Sequence, residues 1–323
     1  MNTPHSNGTC QWLGVDTGGT FTDFVLYDGR NLRVHKVLST PHAPEEAILQ
    51  GIRELGLGGG GLRVTHGSTV ATNAVLERKG VRTAYITNRG LGDVLTIGRQ
   101  ARRELYNLQP APQPPPVPRE LCLEVAARTG ADGRPVESLT DADREHIQAA
   151  IAELRPQAVA INLLFSFLDD RDERTIASWL PDDIFISCSA DVLPEYREYE
   201  RGIATWLNAW VGPRVAGYLE RLGAALAPAP VAVMQSSGGT ISAVQAAGKA
   251  VQLLLSGPAG GLMGARFAGQ QAGHRRLLTI DMGGTSTDVA LIDGEIRLTP
   301  EGRIGDWPVA VPMVDRHTIG AGG

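Results

Sequence analysis

The sequence has few cysteines, and their positions match no metal-binding pattern. Cys10, Cys122 and Cys188 lie far apart in the 323-residue chain and form no pair with metal-ligand spacing. Scattered cysteines are typical of a reducing compartment, so we expect a cytoplasmic protein. No apolar run approaches the length that crosses a bilayer, and the polar N-terminus does not resemble a secretory signal. We therefore expect neither export nor a membrane partner.

An excess of positive charge and the common hydrolase motifs are also lacking. The formal net charge is −5 and the sequence pI is about 5.8, so electrostatics gives no reason to expect nucleic acid as a partner. The sequence contains no Gly-x-Ser-x-Gly, no Cys-His pairing and no His-Glu-x-x-His. These absences argue against a hydrolase that works without an energy-rich co-substrate.

A duplicated motif is the most informative feature that is present. One copy runs from Asp16 to Gly29 and the other from Asp281 to Gly294, and nine of the fourteen aligned positions are identical. Each copy is preceded and followed by an apolar run, and Asp-Gly closes the second run. This pattern predicts a strand, a Gly-Gly turn, a strand, a tight Asp-Gly turn and a third strand.

The residues of this motif are suited to phosphate and Mg²⁺. We expect the two glycines to bend the turn with positive φ and to leave N–H groups that can hold phosphate oxygens. The carboxylates of Asp16 and Asp281 would repel a bare phosphate, but they fit a hydrated Mg²⁺ between them and a nucleotide. The alternative is that each copy is a hairpin without a ligand. The candidate phosphate-binding residues are Thr17, Gly18, Gly19, Thr20 and Thr22 in the first copy and Gly283, Gly284, Thr285 and Ser286 in the second.

The paired Asp-x-Gly-x-Thr hairpins resemble the phosphate loops of the actin, sugar-kinase and heat-shock-chaperone ATPases. The amino-acid sequence of these hairpins is similar to that of the hydantoinase A and 5-oxoprolinase family, which also contains subunits of ATP-dependent ketone carboxylases. Further motifs extend this resemblance over nearly the whole chain; they are residues 66–74, 193–201, 235–239, 256–261 and 318–323.

The resemblance implies an α/β protein with the actin/ribonuclease H-like ATPase fold, in which two related domains have mixed sheets flanked by helices. It implies a hydantoinase/oxoprolinase N-terminal domain at 1–190 and the start of a hydantoinase A domain at 191–323. Family members continue well beyond the Gly322-Gly323 end, so we expect a fragment with an incomplete second domain.

The resemblance also implies an activity. We expect ATP-dependent hydrolysis of a cyclic amide or imide of the hydantoin or 5-oxoproline type, with ATP and Mg²⁺ as cofactors. A hydantoinase B-type subunit is the expected partner. The alternatives are the phosphorylating subunit of a ketone carboxylase and a non-catalytic nucleotide-binding switch.

Several other residues are candidates for catalysis or ligand binding, and each also has a structural interpretation or lacks a needed partner. His66, after a short strand, is either a general base or metal ligand, or a hydrogen-bonded structural residue. Asp315 and His317 would share one face of a strand and could bind a second divalent metal, although no third ligand is identifiable. A Gly-rich turn with Gly257, Gly260 and Gly261 before a helix could bind an anion or serve close packing.

The remaining sequence predicts alternating strands and helices. Periodicity predicts helices at 44–55 and 70–79, strands at 62–65, 83–87 and 121–125, and a buried parallel strand at 158–165. Thr140 and Asp143 form a capping-box pattern for a helix that ends at 154. A long helix from 197 to 222 is predicted to be interrupted at Gly212-Pro213, and the charges from Glu195 to Arg201 are typical of a solvated face or of an Arg that contacts substrate.

Overall fold

The structure is a computed structural model that describes residues 10–40, 42–58, 61–101, 106–109, 115–282 and 287–320. The helices are α1 Pro44–Glu54, α2 Val70–Leu76, α3 Val94–Ile97, α4 Asp141–Leu154, α5 Arg171–Ala177, α6 Ser189–Val192, α7 Glu198–Leu226, α8 Ala243–Ala247 and α9 Ser256–Gln271. The first strands are β1 Gln11–Thr17, β2 Phe21–Tyr27, β3 Leu32–Leu38, β4 Leu62–Ser68, β5 Thr83–Asn88, β6 Cys122–Val125, β7 Arg128–Thr129, β8 Pro135–Glu137, β9 Ala158–Asn162 and β10 Phe185–Cys188. The later strands are β11 Val231–Met234, β12 Thr240–Ser242, β13 Arg276–Met282, β14 Thr287–Asp293, β15 Glu295–Ile296, β16 Leu298–Thr299, β17 Gly302–Ile304, β18 Trp307–Val309, β19 Met313–Val314 and β20 His317–Ile319.

The chain forms two compact units that are discontinuous in sequence. Unit 1 comprises Met1–Asn73, Arg214–Pro300 and Pro312–Gly323, and unit 2 comprises Ala74–Pro213 and Glu301–Val311. The boundary at residue 190 divides the sequence into family regions and stays a prediction. In the part of the chain that the structure describes, no helix combines the length and the apolarity that a membrane span requires.

Unit 1 contains both copies of the duplicated motif. Its larger sheet has the order β12-β11-β4-β1-β2-β3, in which β4 is parallel to β1 and β2 is antiparallel to it. A second sheet pairs β14 with β13, β15 and β20. The strands predicted on either side of the Gly-Gly turn are therefore confirmed in both copies, and that turn is described in the first copy only. The Asp-Gly turns place Gly29 at φ 93° and Gly294 at φ 75°, where glycine avoids strain.

Helix α1 covers the first hairpin. Pro44 occupies the first turn with Glu45 and Glu46, and Ala47, Ile48 and Ile52 are buried. Gly51 faces the ring of Phe24 so closely that a Cβ at residue 51 would lie 2.2 Å from Cζ. This close approach fixes the helix against the sheet.

Unit 2 is built on a four-stranded sheet with the order β10-β9-β5-β6, whose strands are parallel. The prediction that β9 is a buried parallel strand is confirmed, although the strand ends at Asn162 rather than at residue 165. The capping box of α4 is also confirmed: Thr140 Oγ1 accepts from the Asp143 N–H at 3.2 Å, and Asp143 Oδ2 accepts from the Thr140 N–H at 2.9 Å.

Two predictions about helices are wrong. Helix α7 continues through Gly212-Pro213 from Glu198 to Leu226. The absence of a side chain at Gly212 leaves room for the Phe185 ring, because a Cβ there would lie 2.4 Å from it, so this glycine serves packing. The Gly-rich segment with Gly257, Gly260 and Gly261 lies inside the first turns of α9 and not in a turn before it.

Of the Pro-rich stretch at 110–118, residues 110–114 lie outside the described residues.

Candidate functional site

The first hairpin is closed by one hydrogen bond across its turn. The Gly18 N–H donates to the Phe21 carbonyl at 3.0 Å, so this N–H group is used inside the protein. The prediction of positive φ is wrong, since neither Gly18 nor Gly19 adopts a left-handed backbone. Gly18 is needed for another reason, because a Cβ there would lie 3.1 Å from the Phe21 carbonyl oxygen. A Cβ at Gly19 would meet nothing within 4 Å, so the turn presents an open backbone at this residue.

The second hairpin repeats the register of the first. Asp16 lies opposite Asp23 on β1 and β2, and Asp281 lies opposite Asp288 on β13 and β14. The predictions for Gly283, Gly284, Thr285 and Ser286 fall outside the described residues. The two hairpins thus place an aspartate at the end of the first strand and a second aspartate across from it.

The second aspartate of each copy is neutralised by a basic residue. Asp23 forms an ion pair with Lys36 of β3 at 3.0 Å. Asp288 forms an ion pair with Arg316 and accepts a hydrogen bond from the Thr318 hydroxyl at 2.6 Å. These pairings give Asp23 and Asp288 structural partners in the sheet.

The first aspartate of each copy has no such partner. Within the described residues, neither Asp16 nor Asp281 forms an ion pair with a basic side chain. Desolvation by the surrounding protein raises the pKa of Asp16, and the negative charges of Asp23 and Asp281 raise it further. The Asp16 side chain is exposed, so solvent screening weakens these effects. Asp281 therefore lies close enough to Asp16 for the two carboxylates to repel each other.

Strand β4 supports the Asp16 carboxylate with a glycine. Gly67 is the register partner of Asp16, and a Cβ at Gly67 would lie 3.2 Å from Asp16 Oδ1. A side chain at this residue would force the carboxylate to move, so Gly67 permits its position. Gly67 lies in the family motif at 66–74, but nothing in the sequence signals this contact. Lys36 and Arg316 could not be found from the sequence, because pairing across strands depends on register.

The hydroxyls of the first copy have different environments. Thr22 is fully buried, and its Oγ1 is 3.0 Å from the hydroxyl of Ser39, so it is engaged within the protein. Thr17 is also buried, and its Oγ1 has no hydrogen-bond partner within the described residues. Thr20 is exposed at the turn. Of the three, Thr20 is the one that solvent and a ligand can reach directly.

His66 lies inside strand β4, not after it, because the pairing of β4 with β1 extends to Ser68. The ring is fully buried, and Nε2 is 2.7 Å from the Tyr218 hydroxyl. The other ring nitrogen, Nδ1, lies against the backbone of Val15 without a hydrogen bond of normal geometry. Burial lowers the pKa of His66 to about 4, so the ring is neutral at pH 7. This environment favours the structural interpretation over a general base.

The N-terminus of α9 is anchored to the segment that follows β4. The Leu255 N–H donates to Thr72 Oγ1 at 2.9 Å, and the Ser256 hydroxyl donates to the Ser68 carbonyl at 3.2 Å. A Cβ at Gly257 or at Gly261 would meet nothing within 4 Å. These glycines therefore leave an open helix face, and their role in anion binding stays a prediction.

Asp315 and His317 do not share a strand, because β20 begins at His317. Both residues are exposed, and Arg316 between them pairs with Asp288. Among the described residues, no group of three or more His, Cys, Asp or Glu is arranged to hold a metal ion. The second metal site thus stays a prediction without a third ligand.

The charge run from Glu195 to Arg201, which overlaps the start of α7, is not solvated at its last residue. Arg201 is 1% exposed, and it donates to Asn162 Oδ1 and to the Glu195 carbonyl, both at 2.9 Å. It therefore ties α7 to β9 within unit 2. Periodicity could not reveal this, because charged residues at the start of a helix usually face water.

The duplicated hairpins in mixed sheets flanked by helices define the class of protein: the chain has the actin-like ATPase fold. Within that class it belongs to the hydantoinase/oxoprolinase family. Residues 12–183 match the hydantoinase/oxoprolinase N-terminal region, and residues 201–323 match the hydantoinase/oxoprolinase domain.

Three relatives illustrate the family. The chain is 34% identical to caprolactamase subunit alpha of Pseudomonas jessenii, over 96% of this chain and 48% of that protein. It is 30% identical to 5-oxoprolinase 1 of Arabidopsis thaliana, over 96% of this chain and 28% of that protein. The nucleotide-free structure of acetone carboxylase has a TM-score of 0.82 and 27% identity, over 97% of this chain and 48% of that one. The chain thus spans about half the length, or less, of these relatives.

Proposed function

We propose that the protein takes part in ATP-dependent hydrolysis of a cyclic amide or imide of the hydantoin or 5-oxoproline type. The observation that carries this proposal is the pair of neighbouring carboxylates, Asp16 and Asp281, which have no cationic partner within the described residues. Two carboxylates that repel each other and have no described counter-ion are suited to a divalent cation. Mg²⁺ takes one or two carboxylates and keeps several waters, so the lack of a third protein ligand is compatible with it.

An unstrained amide is a poor electrophile with a poor leaving group, and ATP supplies the missing reactivity by phosphorylating the amide oxygen. Phosphoryl transfer depends mainly on positioning and on neutralisation of charge. We assign to Asp16 and Asp281 the task of holding the cation that accompanies the nucleotide. We assign to the Gly18–Gly19–Thr20 turn the contact with phosphate, for which the open backbone at Gly19 and the exposed Thr20 hydroxyl are suited. The pairs Asp23–Lys36 and Asp288–Arg316 limit the further negative charge near this position.

A second candidate is the phosphorylating subunit of a ketone carboxylase, in which an enolate oxygen would receive the phosphoryl group. The likeness to the acetone carboxylase structure, at a TM-score of 0.82, supports this alternative. The two candidates differ in their need for bicarbonate. Amide-dependent ATP turnover without bicarbonate would support the amidohydrolase, and turnover that requires a ketone and bicarbonate would support the carboxylase.

We also propose a partner subunit of the hydantoinase B type, in the cytoplasm. Relatives include the alpha subunit of caprolactamase, the beta subunit of acetone carboxylase and the gamma subunit of acetophenone carboxylase, which supports assembly with a second polypeptide. The three free cysteines, of which Cys188 is buried, suit a reducing compartment.

The test is ATP hydrolysis by the protein assembled with its partner, measured with a panel of cyclic amides, imides and ketones. We expect Asp16→Ala and Asp281→Ala each to reduce substrate-stimulated turnover by at least about 100-fold, because each removes a charge that positions the cation. Asp132→Ala, in an exposed turn of unit 2, is the matched control and should retain turnover. Unchanged turnover in both hairpin variants would remove the cation-holding role from these residues.

A further inference from the structure

Unit 2 contains a cavity of about 730 Å³ that the proposed function does not use. Its volume is in the range of small-molecule sites, which are about 300–1,000 Å³. The cavity lies between the segment after α3, the start of α7 and the β17–β18 hairpin. The lining residues that matter here are Gly98, Arg99, Tyr199, Glu200, Arg303 and Trp307.

Among the lining residues that the structure describes, one positive charge has no acidic partner. Arg99 forms a bidentate ion pair with Glu200, in which Nε lies 2.7 Å from Oε1 and Nη2 lies 2.5 Å from Oε2. Arg78 pairs with Asp306 at 2.8 Å. Arg303 donates to the Asp306 backbone carbonyl at 2.9 Å, and within the described residues it forms no ion pair. Three arginines and two acids line the cavity, so its described charges sum to 3 − 2 = +1.

Tyr199 lines the same cavity as Arg303, whose charge acts on its hydroxyl. Its hydroxyl forms no hydrogen bond within the described part of the chain. Burial raises the pKa of Tyr199, the charge of Glu200 adds to this, and Arg303 and Arg99 oppose it. The phenol therefore keeps its proton at neutral pH and can donate a hydrogen bond. Gly98 permits this placement, because a Cβ there would lie 3.3 Å from the hydroxyl.

The wall of the cavity is held in place from behind. The Trp307 ring packs against Trp206 with centroids 5.1 Å apart, and Trp206 stacks on Trp210 at the same centroid distance. Three lining residues have a left-handed backbone: Gly98 at φ 54°, Gln100 at φ 52° and Gly305 at φ 55°. For Gln100 this conformation is strained, and strain of this kind is often found at ligand sites. An ordered aromatic wall reduces the side-chain entropy that the protein loses when a ligand binds.

We propose that this cavity binds a small organic acid through its carboxylate, which accepts hydrogen bonds from the Tyr199 hydroxyl and the Arg303 guanidinium while the flat body of the ligand packs on Trp307. A monoanion matches the one positive charge that is unpaired among the described lining residues. Arg99 and Arg78 are already paired with Glu200 and Asp306, so the described lining has no second positive charge for phosphate or a nucleotide, which carry more negative charge.

This inference deepens the proposed function and rests on it in one respect. If the cavity serves the reaction, the substrate is a cyclic amide that bears a carboxylate, as 5-oxoproline does, or the bound species is the ring-opened acid. Neutral lactams and ketones lack the group that Tyr199 and Arg303 recognise. The binding itself requires no nucleotide, so it can be tested separately from the hairpins.

The experiment measures binding to the 323-residue chain by calorimetry or ligand-observed NMR, without ATP. The matched probes are 5-oxoproline and 2-pyrrolidinone, which share a ring and differ in the carboxylate; glutamate and inorganic phosphate are the further arms. We expect 5-oxoproline or glutamate to bind at least about tenfold more tightly than 2-pyrrolidinone and phosphate, because the neutral amide lacks the carboxylate and phosphate carries more charge than the described lining offsets. Whichever acid binds more tightly identifies the ring or its opened product as the ligand.

The variants assign that preference to the cavity. Tyr199→Phe and Arg303→Gln should each weaken binding of the acid about tenfold or more, and Arg134→Gln, on an exposed turn of unit 2, should not. Arg303→Lys keeps the charge and serves as a second variant if Arg303→Gln alters the melting temperature. Equal binding of acid and neutral amide, no binding of either acid at millimolar concentration, or unchanged affinity in both cavity variants would overturn the proposal. Retained binding in Asp16→Ala would separate this site from the hairpins.

Discussion

At the scale of single residues, the duplicated motif shows how identical side chains acquire different roles. Asp23 and Asp288 are ion-paired with Lys36 and Arg316. Asp16 instead lies near two other carboxylates, with the backbone of Gly67 beside its Oδ1. Because two like charges close together destabilise the fold unless a cation joins them, the motif retains these carboxylates at some cost in stability.

His66 makes the stability of the protein depend on pH. Its pKa falls from 6.5 in the unfolded chain to about 4 in the folded protein, so the unfolded state binds a proton first as the pH drops. The stabilisation is fully present above pH 6.5 and is lost as the pH falls towards 4. We expect the free energy of unfolding to fall by about 1 kcal/mol per pH unit in this window, about 3 kcal/mol in total.

The measurement is urea unfolding of the wild type and of His66→Gln between pH 7.5 and pH 4.5. His66→Gln lowers stability at pH 7.5 but should show a flatter pH dependence, because glutamine does not titrate. His146→Gln, on the exposed face of α4, should follow the wild type. Parallel pH profiles for the wild type and His66→Gln would exclude His66 as the source.

Sequence patterns could identify single residues only where the contact is local. The repeat identified Asp16 and Asp281, and Thr140 with Asp143 was recognised because the capping box spans three residues. The Gly-Gly turn misled the prediction of φ, since Gly18 is required by the approach of the Phe21 carbonyl and not by a left-handed backbone. The cavity that Tyr199 and Arg303 both line could not be predicted, because the fold of unit 2 brings these residues to one cavity from distant parts of the sequence.

At the scale of elements, the α4 capping box gives a defined contribution to stability. Thr140 and Asp143 exchange hydrogen bonds, and Asp143 Oδ1 also accepts from the Ala126 N–H at 2.9 Å. Burial acts to raise the pKa of Asp143, but the hydrogen bonds from Thr140 and Ala126 and the charge of Arg89 outweigh it and lower the pKa. The box therefore fixes both the start of the helix and the strand beside it.

We expect Thr140→Ala to destabilise the protein by about 1 kcal/mol, within the 0.5–2 kcal/mol measured for loss of an N-cap side chain. The melting temperature should fall by roughly 2 °C in a chain of this length. Thermal unfolding followed by circular dichroism provides the measurement. Glu145→Ala, on the exposed face of the same helix, is the control for helix propensity. An equal effect of both substitutions would show that the cap contributes nothing specific.

Helix boundaries were predicted less well than helix existence, for a physical reason. Periodicity correctly indicated α1 and α9, and the capping box indicated α4; each helix has buried residues. Gly212-Pro213 was taken as a break, yet α7 continues, since the Phe185 ring fills the space that Gly212 leaves. Tertiary packing thus overrides local propensity where a glycine has a large side chain as its neighbour.

At the scale of the whole molecule, the two hairpins lie 281 − 16 = 265 positions apart in the sequence but belong to the same compact unit. The charge of Asp281 raises the pKa of Asp16, so the two copies are coupled through space. A ligand that bridges them must stabilise both or neither, because binding energy is shared by all the groups that hold the ligand. This coupling separates a bridged site from two independent hairpins.

We expect ATP with Mg²⁺ to slow amide hydrogen exchange in both hairpins together. Where exchange requires the binding site to unfold, the exchange rate should fall by the factor 1 + [L]/Kd, in which [L] is the concentration of free nucleotide. Asp281→Asn should remove the protection of the β1–β2 hairpin, which is distant in sequence, as well as that of β13–β14, because one cation is held from both sides. Asp132→Asn, in an exposed turn of unit 2, should leave the protection unchanged. Exchange is measured by mass spectrometry on peptides from each hairpin, with and without nucleotide. Protection of β1–β2 that persists in Asp281→Asn would mean that the copies bind separately, and the bridged nucleotide site would then have to be abandoned.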